Sequence, residues 1–90
     1  YMFIDSLARG AVKNGMPKNV ALEVAAGAVL GSAKMILESA EHPWQLVDQV
    51  CSPGGTTIAG IHALENHGVR GAFYDAVQAV LKRSDELQGK

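Results

Sequence analysis

The chain has 90 residues, of which 48% are hydrophobic and 19% are charged, and its formal net charge is −1 at pH 7. This composition is typical of one compact domain, residues 1–90, and it excludes a disordered chain. The nearly neutral charge argues against nucleic acid or a membrane surface as a partner, since both attract basic patches. We also expect no membrane-spanning helix, because Glu23, Ser32 and Lys34 interrupt the longest apolar run before it reaches about 18 residues.

The first predicted helix runs from the N-terminus to about Asn14. Its apolar residues recur at i, i+3 and i+4 and lie opposite charged residues. Gly15 offers a left-handed cap, and Pro17 cannot continue a helix. Tyr1 is already in phase with the apolar stripe, which indicates that this helix begins upstream of the sequence given.

The second predicted helix, residues 18 to about 40, is unusually apolar and rich in small residues. Gly27 and Gly31 are four apart and share one face, although each glycine costs a helix roughly 1 kcal/mol. The helix would be about 34 Å long, too long to be covered by the rest of so small a chain. We therefore expect it to be buried against a second copy of the chain. The alternative is a central helix in a monomeric bundle.

Three further helices complete an all-α prediction. Residues 41–43 interrupt the chain before a short helix over residues 43–50, which begins with proline. The fourth helix covers residues 56 to about 66, with Gly68 as its C-terminal cap. The fifth covers residues 69 to about 87, and its apolar residues are expected to face inward: Val69, Phe73, Ala76, Val77, Val80 and Leu81.

The segment Cys51-Ser52-Pro53-Gly54-Gly55-Thr56-Thr57, between the third and fourth helices, carries the strongest functional indication. Its proline stops one helix, and its two glycines permit backbone angles that other residues resist. The next helix would then begin with free N–H groups at Gly55, Thr56 and Thr57, flanked by the hydroxyls of Ser52, Thr56 and Thr57. Such amides, at the positive end of a helix dipole, bind anions without Lys or Arg, and three hydroxyls suit a small carboxylate.

The same residues also fit an ordinary helix-start turn, with Thr as an N-cap partner. A nucleotide P-loop is excluded, since no Lys-Ser or Lys-Thr pair follows the glycines. A dinucleotide fingerprint is excluded as well, because the glycine spacing differs and no strand precedes it. The residues alone leave the carboxylate site and the plain turn both open.

Several motifs, in order along nearly the whole chain, resemble the C-terminal part of pyrroline-5-carboxylate reductase. The strongest is residues 50–60, Val-Cys-Ser-Pro-Gly-Gly-Thr-Thr-Ile-Ala-Gly, followed by Leu64-Glu65 and residues 68–72. Upstream motifs that resemble the same family are Asp5-Ser6-Leu7-Ala8, Gly15-Met16-Pro17, residues 30–35 and His42-Pro43. Trp44 departs from the family, which more usually has a small residue there.

This resemblance implies an interlocked helical homodimer, with larger rings of dimers, that forms the C-terminal part of a two-domain enzyme. The enzyme would reduce pyrroline-5-carboxylate to L-proline with NADPH or NADH, and the cofactor would be bound by an N-terminal Rossmann domain absent from this chain. The substrate carboxylate would accept hydrogen bonds from Ser52, the Thr56 amide and Thr57, within the loop that includes Gly55. The Thr57 hydroxyl would also contact the ring nitrogen, as the catalytic group.

The remaining reactive side chains predict no further chemistry. His42, His62 and His67 lack metal-ligand spacing, so we expect no metal and assign them surface or packing roles. Cys51 has no basic neighbour in sequence to activate it, and a lone cysteine agrees with a reducing compartment. We therefore expect a cytoplasmic protein, or a mitochondrial one in a eukaryote. The alternative function is a non-catalytic helical homodimerisation module, in which the loop only starts a helix.

Overall fold

The computed structural model describes residues 1–89, and all regular structure in that range is helical. The five helices are α1 Met2–Lys13, α2 Lys18–Glu38, α3 Pro43–Val50, α4 Thr56–Asn66 and α5 Val69–Leu87. The all-α prediction is therefore confirmed. The main difference is the end of α2, which was expected near residue 40. Ser39 has an extended backbone, with φ −92° and ψ 146°, and this ends the helix at Glu38.

The turn after α1 confirms the predicted role of Gly15. This residue has a φ of +105°, which glycine adopts at little steric cost. Its N–H group donates to the carbonyl oxygen of Val12 at 3.0 Å, and the N–H group of Met16 donates to that of Ala11 at 3.1 Å. These two bonds form a Schellman motif, which satisfies the last carbonyl groups of α1 and reverses the chain into α2.

The chain divides into two compact units, of which the first is Tyr1–Leu46. In this unit α1 packs against α2, and its buried core consists of Ala8, Ala21 and Ala25. Ile4, Ala11, Val12 and Met16 pack around that core and stay partly exposed. Alanine buries little apolar area, and the stabilisation from burial scales with that area. The core of this unit is therefore small for a domain that would fold as a monomer.

The second unit begins at Val47 and includes α4 and α5. Gly68 joins these two helices in a left-handed conformation, with φ 68° and ψ 35°, as predicted for a C-terminal cap. No residue in the range 47–89 is buried. The face of α5 that was expected to point inward is open instead, since Phe73, Val77 and Val80 are 54%, 60% and 68% exposed.

Helix α2 also leaves most of its apolar surface uncovered. Only Ala21 and Ala25 of its 21 residues are buried, which favours the predicted burial against a second copy over a central helix in a monomeric bundle. Apart from the adjacent residues and the backbone of α2 itself, no atom of the described chain lies within 4 Å of a Cβ placed on Gly27 or Gly31. The close contact expected at these glycines is thus not made within the chain.

The expectation that no helix could span a membrane needs correction. By length and composition, α2 is long and apolar enough to cross a bilayer, since its few charged residues do not offset its aliphatic content. The core helix of a soluble protein passes the same test. This property therefore does not by itself place α2 in a membrane.

Candidate functional site at the start of α4

A tight turn formed by Ser52, Pro53, Gly54 and Gly55 leads into α4. The Gly55 N–H group donates a hydrogen bond to the carbonyl oxygen of Ser52 at 3.0 Å. Proline occupies the second position of this turn, and Gly54 occupies the third with a φ of +69°. These features define a type II turn, in which the third position requires a positive φ and therefore favours glycine. Backbone geometry therefore explains why position 54 is a glycine.

Gly55 brings the Ser52 side chain against the start of the helix. A Cβ at position 55 would collide with Ser52 Oγ and would lie 3.2 Å from the Ser52 carbonyl oxygen. Gly55 is itself the N-cap residue, with φ −80° and ψ 176°, and its carbonyl oxygen accepts the N–H group of Ala59 at 3.4 Å. The absence of a side chain at position 55 therefore lets the Ser52 hydroxyl approach the first turn of α4.

The set of free amide donors differs from the predicted one by one residue. Gly55 was expected to offer a free N–H group, but that group is used in the type II turn. The first-turn donors that lie outside the intrahelical pattern are those of Thr56, Thr57 and Ile58. The donor set is therefore shifted by one position along the chain, and it still includes the predicted Thr56 and Thr57.

No side chain caps α4. This observation tests the alternative in which the loop is only a helix-start turn with Thr as its N-cap partner. The N-cap residue is Gly55, which cannot cap, and α4 has no side-chain cap hydrogen bond. The version of the alternative in which Thr acts as the N-cap partner is therefore wrong. Acidic residues are also missing from the first turn of α4, so no carboxylate of that turn offsets the positive end of the helix dipole.

The surroundings of this helix start are polar and uncharged. Ser52, Thr56 and Thr57 are exposed, while Cys51 and Gly55 are half-buried. Residues 49–64 contain no Asp, Glu, Lys or Arg. Three amides and three hydroxyls are therefore available to an anion here, without any cationic side chain nearby in the sequence.

A groove of about 460 Å³ lies in the other unit, between α1 and α2. Its walls include Ala8, Val12 and Leu22, and its rim carries the Asp5–Arg9 ion pair, with 2.8 Å between Asp5 Oδ2 and Arg9 Nε. The hydrogen bond to Asp5, helped by its negative charge, raises the pKa of Arg9. None of the residues predicted to bind substrate lines this groove.

Two of the three histidines, His42 and His62, have local structural partners, and one of these partnerships was not predicted. Among residues 1–89, no group of three or more His, Cys, Asp or Glu side chains could hold a metal ion. His62 Nε2 lies 3.1 Å from Asn66 Nδ2 on α4. His42 caps α3 through its ring, and the sequence indication for this was the spacing His-x-x-Gln with proline at the first helical position.

Comparison with known proteins agrees with the resemblance in the motifs. Residues 1–87 match the family model described as pyrroline-5-carboxylate reductase dimerisation. A pyrroline-5-carboxylate reductase of Glycine max is 52% identical over 87 residues, covering 97% of this chain and 32% of the relative. Pyrroline-5-carboxylate reductase 2 of Homo sapiens is 50% identical over 88 residues, covering 98% of this chain and 28% of the relative.

Solved structures show the same likeness. A pyrroline-5-carboxylate reductase from Coxiella burnetii superposes with a TM-score of 0.92 at 36% identity, covering 96% of this chain and 32% of that one. The Plasmodium falciparum enzyme with NADP bound superposes with a TM-score of 0.85 at 34% identity, covering 88% and 32%. The chain thus spans about a third of the length of the relatives it matches. It belongs to the pyrroline-5-carboxylate reductase family, in which it corresponds to the C-terminal dimerisation domain.

Proposed function

We propose that this chain is the dimerisation and substrate-binding part of an enzyme that reduces 1-pyrroline-5-carboxylate to L-proline with NADPH or NADH. Family membership supports the activity, and the NADP-bound relative from Plasmodium falciparum supports a nicotinamide cofactor. Residues 1–89 contain no strand that could begin a dinucleotide-binding unit, so they do not fit the cofactor. The cofactor would be bound elsewhere in the full-length protein.

The uncapped first turn of α4 carries the proposal for substrate binding. The amides of Thr56, Thr57 and Ile58 have no side-chain cap in the chain, and a helix start of this kind stabilises a carboxylate. Ser52 Oγ approaches the same turn because Gly55 has no side chain. In our proposal the substrate carboxylate accepts hydrogen bonds from Ser52, the Thr56 amide and Thr57, with the Ile58 amide as a further donor.

The Thr57 hydroxyl is the proposed group at the reacting end of the substrate. It would hydrogen-bond to the ring nitrogen, which gains electron density as the carbon–nitrogen double bond becomes single. The nitrogen must also gain one proton in this reduction, and in our proposal water supplies it. A threonine hydroxyl can donate a hydrogen bond to the nitrogen before this step and accept one from its N–H group afterwards, so Thr57 can hold the nitrogen in both states. The other donors of the first turn would hold the carboxylate and so fix the orientation of the ring.

A second copy of the chain would cover the apolar faces that this chain leaves open. The matching family model is a dimerisation domain, which supports a homodimer. Helices α2 and α5 both present uncovered aliphatic residues, and Gly27 and Gly31 leave room for close approach. We further propose that dimers assemble into larger rings, that the partner's cofactor domain completes the site, and that the protein is cytoplasmic or, in a eukaryote, mitochondrial.

An assay of two proteins in parallel tests this function. The full-length protein should oxidise NADPH in the presence of 1-pyrroline-5-carboxylate and form L-proline, whereas the 90-residue chain should do neither. Loss of NADPH absorbance and chromatographic detection of proline measure the two products independently. Turnover by the 90-residue chain would contradict the proposal. A folded full-length protein that shows no turnover would contradict it as well.

A further inference from the structure

Asn14 precedes Gly15 at the end of α1, and these two residues can react with each other. The backbone nitrogen that follows an asparagine can attack the carbon of its side-chain amide, and glycine shields that nitrogen least because it has no side chain. The chain has two other asparagines, Asn19 and Asn66, which precede a valine and a histidine. Both of those side chains shield the nitrogen, valine through its branched Cβ. Asn14 is therefore the asparagine of this chain with the most reactive sequence.

The reaction is a cyclisation that needs no reagent except water. A bond forms between the Gly15 nitrogen and Asn14 Cγ, and the bond between Cγ and Nδ2 breaks. Nδ2 leaves as ammonia and takes the proton of the Gly15 amide with it. Water then opens the resulting cyclic imide at either of its carbonyl groups. One opening gives aspartate at position 14, and the other gives isoaspartate, in which the main chain runs through Cγ.

The folded turn holds both reacting groups away from the geometry of ring closure. Closure needs Asn14 Cβ and the Gly15 nitrogen on the same side of the Asn14 Cα–C bond. Asn14 has a ψ of 14°, at which its own nitrogen nearly eclipses the Gly15 nitrogen and its Cβ points away. The side chain is held as well, since Asn14 Nδ2 donates to the carbonyl oxygen of Gly10 at 2.9 Å. The ring therefore cannot close until the backbone of Asn14 rotates.

That rotation breaks the hydrogen bonds that end α1. The Gly15 N–H group donates to the carbonyl oxygen of Val12 at 3.0 Å, and the Met16 N–H group donates to that of Ala11 at 3.1 Å. Both depend on the ψ of Asn14, because this angle sets the direction of the chain that follows. Helix ends open locally at a much lower free energy than the whole domain unfolds. The frequency of this opening therefore limits the reaction.

We propose that Asn14 is a site of spontaneous deamidation, and that opening of the last turn of α1 controls its rate. The reaction does not depend on the function proposed above. Aspartate at position 14 has no donor for the Gly10 carbonyl oxygen, and its charge lies at the negative end of the helix dipole. Isoaspartate lengthens the main chain and shifts Gly15 relative to Val12. Both products therefore weaken the turn that kept the reaction slow.

Peptide mass spectrometry of the full-length protein measures the reaction at each asparagine. At neutral pH, Asn14 should deamidate roughly 10–100-fold faster in concentrated guanidinium chloride than in the folded protein, the ratio expected when both backbone bonds of the turn must open. Asn19 and Asn66 are internal controls in the same samples and should react much more slowly than Asn14 in the denaturant. Chromatography separates the aspartate and isoaspartate peptides. Equal rates at Asn14 with and without denaturant, or no deamidation of Asn14 in the denaturant, would overturn the proposal.

Two lysine-to-glycine substitutions separate local opening of α1 from global unfolding. Lys13 is exposed in the last turn of α1, and Lys13→Gly should speed deamidation of the folded protein about fivefold, because glycine weakens that turn. Lys82→Gly makes the same change at an exposed position of α5, in the other compact unit, and should leave the rate unchanged. Each folded rate is divided by the rate of the same variant in guanidinium chloride, which corrects for intrinsic reactivity. An unchanged ratio in Lys13→Gly, or an equal rise in both variants, would overturn control by local opening.

Discussion

The N–H group of Gly55 donates a hydrogen bond to the carbonyl oxygen of Ser52, 3.0 Å away, and the same pair brings Ser52 Oγ into the space that a Cβ at position 55 would fill. The backbone of Ser52 is thus hydrogen-bonded to the start of α4, and its side chain lies beside that helix start. The turn therefore places the Ser52 hydroxyl beside the free amides of Thr56, Thr57 and Ile58. It also makes the two residues energetically dependent on each other.

A double-mutant cycle at these positions should show strong coupling. In Gly55→Ala the new methyl group should rotate the Ser52 hydroxyl away from the helix start, which should lower kcat/KM about as much as Ser52→Ala does. A lost hydrogen bond to a carboxylate is worth about 1.5–3 kcal/mol, or roughly 10–150-fold. The double variant should resemble either single variant. Losses that simply multiply in the double variant would show that Ser52 and Gly55 act independently.

Gly54 is predicted to be required for its backbone angle alone. Its φ is +69°, and the described chain has no atom within 4 Å of a Cβ at this position, so a side chain would meet strain and no clash. Gly54→Ala should therefore lower the free energy of unfolding by about 1–2 kcal/mol. Gly54→Asn should lower it less, because asparagine tolerates the left-handed region better. Denaturant unfolding of the two variants side by side measures this, and equal losses would argue against a conformational cause.

The homodimer should depend on the glycine face of α2. Light scattering of the 90-residue chain at micromolar concentration should give twice the 9.5 kDa chain mass. Gly31→Leu should dissociate or unfold it, since overpacking costs about 1–3 kcal/mol and here acts in both subunits. A stable, folded wild-type monomer would contradict this prediction.

The helix boundaries could be predicted closely because glycine and proline mark most of them. Gly15 with Pro17, Pro53 with Gly54, and Gly68 each end or begin a helix where the sequence suggested. The end of α2 was predicted less well, since Ser39 and Ala40 carry no comparable restriction on the backbone. Local steric preferences of single residues therefore account for both the successes and this difference.

The burial pattern was harder to predict than the helices. Periodicity correctly identified an apolar face on α5, but it could not show what covers that face, and Phe73 and Val77 remain exposed in the chain. At the site, the hydroxyl-bearing residues were predicted, whereas the use of the Gly55 N–H group was not. That detail depends on the type II turn, in which the fourth residue donates to the first.

Thr57→Val tests the functional proposal most directly. Valine keeps the branched shape and the backbone amide of Thr57 and removes only the hydroxyl. In the full-length enzyme we expect kcat/KM to fall by about 10–150-fold, the range for a hydrogen bond to a charged group worth about 1.5–3 kcal/mol. The melting temperature should barely change, because valine and threonine have similar helix propensities and Thr57 makes no side-chain cap in this chain.

Thr56→Val is the matched control for this experiment. It makes the same chemical change one residue earlier, where the proposal uses only the amide. It should alter kcat/KM by no more than about twofold, the usual effect of a neutral surface substitution. If the loop only started a helix, both variants would keep normal kinetics, and any effect would appear as a lowered melting temperature. Wild-type kcat/KM in Thr57→Val would therefore remove the Thr57 hydroxyl from the mechanism, whatever the family membership of the chain.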